Sequence, residues 1–142
     1  MYFEEARKDL EQMFKTGWAS TSRVKYENTQ LTPVPGDDET WVAMTIREGK
    51  GVQASLGNNP LLRFKGFVVI QVFSPKDSGT SKSKQLQGMV GKIFDRKFFM
   101  SSHEAGYFKF EIAYPIEPGV REGWYQVNVM VPFTRDVTIV SP

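Results

Sequence analysis

The sequence predicts an α+β fold: a mostly antiparallel sheet of about five to six strands with two helices packed on one face. Three observations lead there. Two stretches, one opening the chain and one past its middle, carry apolar residues at the helical period. Five others read as strands by alternation or by β-branched and aromatic content. Their order is helix, three strands, helix, two strands, which groups the helices apart from the strands instead of interleaving them as in a parallel α/β sheet.

The first helix covers residues 3 to 18. Phe3, Ala6, Leu10, Met13, Phe14 and Trp18 share one side of the cylinder, and Glu4, Arg7, Lys8, Asp9, Glu11, Gln12 and Lys15 take the rest. Gly17 is the expected terminator. A short strand follows from Arg23 to Glu27, then a loop from Asn28 to Glu39 marked by Pro33, Pro35, Gly36 and two aspartates. Trp41 to Arg47 is a strand with Val42, Met44 and Ile46 facing one way. Residues 48 to 60 are polar and glycine-bearing, with a weak alternation at Val52, Ala54 and Leu56, and read as an extended hairpin arm that the core does not require. Gly49, Gly51 and Gly57 let the arm bend.

The strand from about 63 to 74 is apolar on both faces, with Phe67, Val69 and Phe73 on one and Val68, Ile70 and Val72 on the other. Such a strand needs cover on both sides and belongs at the sheet centre. Lys76 to Lys82 is a linker by composition. Leu86, Met89, Val90, Ile93 and Phe94 define the second helix from about 81 to 95. Gly88 and Gly91 lie inside it, each costing about 1 kcal/mol against alanine, which suggests a close backbone approach. Two strands finish the chain, Tyr107 to Tyr114 and Trp124 to Thr134, separated by a turn containing Pro115, Pro118, Gly119 and Gly123. Phe108, Phe110 and Ile112 share one face of the first. In the second, Tyr125, Val127, Val129, Val131 and Phe133 oppose Trp124, Gln126, Asn128 and Met130. A half-polar second face with Trp and Tyr fits either a subunit interface or a solvated surface.

At 142 residues the chain is read as one domain, large enough to bury roughly two-thirds of its unfolded surface. The sequence has no cysteine, which excludes disulfides, thiolate metal sites and cysteine nucleophiles. Eighteen basic against 16 acidic residues leave a net charge of +2, too balanced to mark a nucleic-acid binder. Met1 to Arg7 is acidic where a signal peptide is basic, and no apolar run approaches the roughly 20 residues of a membrane span, so no membrane partner is expected.

Tests for chemistry come out negative. His103 is the one histidine, and neighbouring residues rarely supply a triad, so it reads as an exposed turn residue. Asp37, Asp38 and Glu39 would suit a hard cation at best and read as a solvated loop. Gly49, Lys50 and Gly51 fail as a phosphate loop, because glycine follows the lysine and Met44 stands where the first glycine belongs. Lys76, Lys82, Lys84, Lys92, Arg96 and Lys97 outnumber Asp77 and Asp95, yet no aromatic stacking platform is interleaved with them. No catalytic residue, cofactor or metal is expected.

With these elements placed, the chain resembles the tail terminator-like proteins of long-tailed bacteriophages, the group that includes the minor tail protein U family. The resemblance rests on Tyr2 to Leu10, on Trp41 to Arg47, on Gln53 to Gly57 leading into Arg63 to Phe73, on the second helix, and on Gly123 to Val129. It is weakest between Phe98 and Glu122. It implies a structural, non-enzymatic protein of phage or prophage that forms a homo-oligomer, commonly a hexameric ring, on the head-proximal end of the tail tube. There it stops polymerisation and offers the head-joining surface. The implied partners are copies of itself, the major tail tube protein and head-tail connector proteins; the implied locations are the host bacterial cytoplasm during assembly and then the virion tail. Arg47, Lys50, Gln53, Leu56, Arg63, Lys65, Trp124 and Gln126 are the expected interaction residues. The alternatives are another head-tail joining or neck completion protein, a small nucleic-acid-binding module, and a small hydrolase built on His103.

Overall fold

A computed structural model describes residues 2–31, 33–36, 38–57, 60–77, 79–100 and 106–138. The elements are α1 (Tyr2–Trp18), β1 (Val24–Tyr26), β2 (Trp41–Glu48), β3 (Val52–Gln53), β4 (Leu61–Pro75), α2 (Ser81–Phe94), β5 (Phe98–Met100), β6 (Tyr107–Phe110), β7 (Tyr114–Arg121) and β8 (Trp124–Thr138). All eight strands join one sheet, ordered β1-β2-β4-β8-β6-β5, with β3 on β4 and β7 on β8. Only β1 with β2 is parallel. The α+β architecture and both helices thus stand as the sequence predicts.

The centre of the sheet is the antiparallel ribbon of β4 and β8, paired from Leu61 with Thr138 to Pro75 with Trp124. The outer edge of β4 is taken by β2 and β3, and that of β8 by β6 and β7. One face of the ribbon carries Val68, Ile70, Val72, Val129, Val131 and Phe133, and both helices contribute to the core on that side: Ala6, Leu10, Phe14 and Trp18 from α1, Leu86, Val90, Ile93 and Phe94 from α2. Phe14 stacks on Trp18 with centroids 5.0 Å apart, and Phe94 meets Phe110 at 5.2 Å. Each such fully buried side chain contributes about 1.5–3 kcal/mol.

The opposite face departs from the expectation of cover on both sides. Phe67, Val69 and Phe73 are only half-buried, shielded by their neighbours within the sheet. A central strand can carry apolar residues on its open face when flanking strands supply lateral contacts, and the sequence period alone does not separate the two cases.

Three further corrections have local causes. Pro115, Pro118 and Gly119 belong to β7 and not to a turn. Proline is tolerated there because β7 is an edge strand with one residue too many between Ile116 and Gly119, a bulge that absorbs the missing donor. The turn itself is Glu122 and Gly123, both at positive φ (52° and 83°), the two-residue hairpin connection. Ile112 does not share the buried face of Phe108 and Phe110: the chain leaves the sheet at 111–113 and Ile112 is 62% exposed.

The glycine reading also shifts. A Cβ on Gly88 would meet nothing within 4 Å, so no close approach explains it, and on Gly91 it would meet the Asp95 carboxylate at 2.9 Å. The tight helix contact is instead at Gly17, where a Cβ would lie 2.6 Å from Ile93 Cγ1. The helix runs one residue beyond Gly17, and the left-handed residue that stops it is Ala19, at φ 51°. Ala19→Gly removes that strain and is expected to raise stability by about 0.5–1 kcal/mol. An unchanged or lowered urea midpoint would contradict the assignment.

The loop before β2 is pinned by Arg23, whose Nε and Nη2 donate to the Glu39 carboxylate at 2.6 and 2.9 Å and whose Nη1 donates to the Pro33 carbonyl at 2.7 Å. The Arg23 hydrogen bond holds the Glu39 carboxyl below the usual carboxylate range. Its folded pKa therefore lies below the unfolded one, so the pair stabilises above about pH 4.3 and the contribution is lost as pH falls through the folded value. Hydrogen exchange at Val34, Gly36, Asp38 and Glu39 is expected to quicken selectively as pH falls below that point, after correction for intrinsic rates. Protection that persists to pH 2 would show that the pair does not hold the loop.

Candidate interaction surfaces

The register of the sheet sets out the open face in rows. Trp41, Phe73 and Gln126 form one row at the Pro75 end; Thr45, Val69, Met130 and Tyr114 cross the middle; Lys65, Thr134, Lys109 and Phe98 lie toward the other end, followed by Arg63, Asp136, Tyr107 and Met100. Several of these side chains are large, apolar and exposed: Phe98, Met100, Tyr107, Tyr114 and Ile116.

The expected interaction residues fall into two groups at opposite ends of the ribbon. Arg47, Lys50, Gln53, Leu56, Arg63 and Lys65 gather around the arm, while Trp124 and Gln126 lie at the Pro75 end, Trp124 about 40 Å from Arg63 at 3.3 Å per residue. In the arm, β3 pairs with Leu62 and Arg63, and the Gln53 amide donates to the Ser55 carbonyl at 2.9 Å. Leu56 is 94% exposed. Arg63 is tied within the chain by hydrogen bonds of 2.9 and 3.2 Å to Asp136, which raise its pKa further. Arg47 donates to Glu27 at 3.4 Å. Trp124 packs edge-on to Trp41 at 6.0 Å, and Trp41 stacks on Phe73 at 4.2 Å. Gln126 is buried, its amide donating to Asn128 at 2.8 Å.

Glu48 and Arg135 fix the base of the arm on the helical side. Arg135 is fully buried and forms two hydrogen bonds to the Glu48 carboxylate, at 2.8 and 2.5 Å. Its guanidinium lies 4.5 Å from the Phe64 ring centre and 6.0 Å from that of Phe3, so the first turn of α1 covers the pair. Gly51 carries no side chain because the Phe64 ring stands 2.5 Å from where its Cβ would be.

A family described as phage tail terminator protein matches residues 5–133. The chain belongs to that family. Among curated proteins, none matches the chain. Four chains of solved structures match; in one, 98% of the terminator chain and 96% of the other overlay with a TM-score of 0.70 at 12% identity, which shows a shared fold.

The family is structural. Among the described residues no group of three or more His, Asp or Glu side chains is placed to hold a metal ion. No helix among them is long and apolar enough to cross a membrane. His103 lies outside the described residues, as does Asp37, while Asp38 is exposed and Glu39 is engaged by Arg23. The basic stretch from 76 to 97 is partly answered within the chain, since Lys84 pairs with Glu117 at 3.1 Å. A cleft of about 600 Å³ between α1 and α2, lined by Asp9, Met13, Met89 and Phe99, is a seam between helices.

Sequence reasoning missed the Arg135–Glu48 pair, because it ended the last strand at Thr134 and so never placed Arg135 in phase with Val131 and Phe133. It also missed Phe98 and Met100 as open-face residues. The apolar run of Phe98, Phe99 and Met100 was the available signal, and only the pairing with β6 shows that Phe99 faces inward.

Proposed function

We propose that this protein caps the head-proximal end of a phage tail tube as a homo-oligomeric ring, stops further polymerisation and presents the surface to which the head joins. The family match over nearly the whole chain carries this reading. A terminator has to bind the last tube ring on one side and fail to template another on the other, which calls for two unlike surfaces and no catalysis. The two ends of the β4–β8 ribbon are unlike in that sense: one bears the arm with Lys50, Gln53 and Leu56, the other the Trp41, Phe73 and Trp124 cluster with Gln126. On this reading the partners are further copies of the chain, the major tail tube protein and head-tail connector proteins. Assembly takes place in the host cytoplasm and the protein ends in the virion tail.

The arm is the part of the terminator whose change should separate folding from assembly. Leu56→Asp and Gln53→Ala alter exposed side chains that the core does not use, so the unfolding free energy from urea titration is expected to stay within about 0.5 kcal/mol of the parent. Tails carrying Leu56→Asp are expected to show loss of length control or failure to join heads by electron microscopy. Normal-length, head-joined tails from both variants would remove the arm from the contact surface.

A further inference from the structure

The two lateral edges of the sheet are complementary. At one edge the chain leaves the sheet between β6 and β7, held by the Glu111 N–H donating to the Pro132 carbonyl at 3.0 Å and the Ala113 N–H donating to Asp95 Oδ1 at 2.8 Å. The break leaves a cleft of about 540 Å³ lined by Arg96, Phe98, Lys109, Ile112, Tyr114 and Pro132. Phe98, Ile112 and Tyr114 are 57%, 62% and 42% exposed, three large apolar side chains together at the protein surface. Arg96 and Lys109, with Lys65 two strands away in register, outweigh Glu111 and Asp95, and none of the three cations forms an ion pair among the described residues.

At the opposite edge two apolar tips project, Val34 at 76% exposure and Leu56 at 94%. Charge distinguishes them. Residues 49–60 hold Lys50 and no carboxylate, whereas residues 30–40 hold Asp37 and Asp38 and no cation, in addition to Glu39, which Arg23 already engages. The Val34 loop is also set in advance by Pro33, Pro35 and the Arg23 contacts, so seating it costs little ordering entropy.

We propose that the loop carrying Val34 and Asp38 of one copy docks at the β6–β7 break of the next, placing Val34 among Phe98, Ile112 and Tyr114 and Asp38 beside Arg96 and Lys109. The proposal rests on the ring reading above and gives it a seam. Because cleft and loop lie on opposite edges of one sheet, the contact is heterologous and repeats from copy to copy, as a closed ring requires.

The absence of cysteine gives a background-free test. Tails assembled with the Val34→Cys, Ile112→Cys double variant are oxidised with copper phenanthroline and run on non-reducing gels. A ladder of linked copies is expected from the double variant and only monomer from either single variant. Lys109→Glu added to the double variant should cut linkage roughly tenfold, and Asp38→Lys added with it should restore most of the loss. A ladder from Leu56→Cys with Ile112→Cys, and none from Val34→Cys with Ile112→Cys, would overturn the proposal in favour of the arm. No ladder from the Val34 pair in tails where a lysine-reactive cross-linker does join copies would overturn the seam and leave the ring standing. If that cross-linker too yields only monomer from purified tails, the ring reading itself falls.

Discussion

Arg135→Ala is expected to lower stability by about 3–5 kcal/mol, a large share of the total for a chain of this size. The cause is what the substitution leaves behind. Arg135 is fully buried, its partner Glu48 is 13% exposed, and both hydrogen bonds to that carboxylate disappear together. The Phe64 and Phe3 rings that face the guanidinium then line a void and cannot answer the charge. The pair is not itself a large net gain, because removing two charges from water costs about as much as their attraction returns. Arg135→Leu with Glu48→Leu is therefore expected to be considerably more stable than Arg135→Ala alone. Urea unfolding decides it: a single variant within 1 kcal/mol of the parent, or a double variant worse than either single, would contradict the account.

Gly66→Ala is expected to cost about 3 kcal/mol, at the upper end for added volume in a packed interior. Gly66 sits in β4 opposite Glu48 of β2 and Phe133 of β8. A Cβ there would press on the Arg47 carbonyl oxygen, with the Glu48 Cα at 2.9 Å and the Phe133 ring at 3.0 Å. Two of those three contacts are backbone, so relief requires moving β2 away from β4, where a side chain would simply have turned. The damage should concentrate at the arm, because the Gly49 N–H donates to the Lys65 carbonyl at 2.8 Å just past this point. Hydrogen exchange is expected to speed up across residues 47–53 before it does so in α2. A variant as stable as the parent, with β2 protection intact, would contradict this reading of Gly66.

Much of this fold is legible in the sequence wherever a period runs long enough to be read. Leu10, Phe14 and Trp18 mark α1, and Leu86, Val90 and Ile93 mark α2, because a helix laid on a sheet buries a repeating stripe. Strand β4 is visible for the same reason. What escapes is set by contacts distant in sequence. Phe98 to Met100 becomes a strand only because β6 pairs with it, and Pro115 and Pro118 are admitted to β7 only because it is an edge strand with a bulge. Arg135 becomes a core residue only because Glu48, far away in sequence, reaches it. The proposed interaction surface is legible in part. The arm residues stand out as polar, glycine-bearing chain that the core does not need, but the cleft at the β6–β7 break is made by Asp95 holding the Ala113 amide, a contact no local pattern announces.

The central claim is that this family member ends the tail. The most direct measurement is the tail-length distribution, by electron microscopy, of particles produced with its gene deleted and then restored in trans. The account predicts tails without a fixed length and unattached to heads in the deletion, and a single length with heads attached on complementation. Tails of normal length joined to heads in the deletion strain would contradict it.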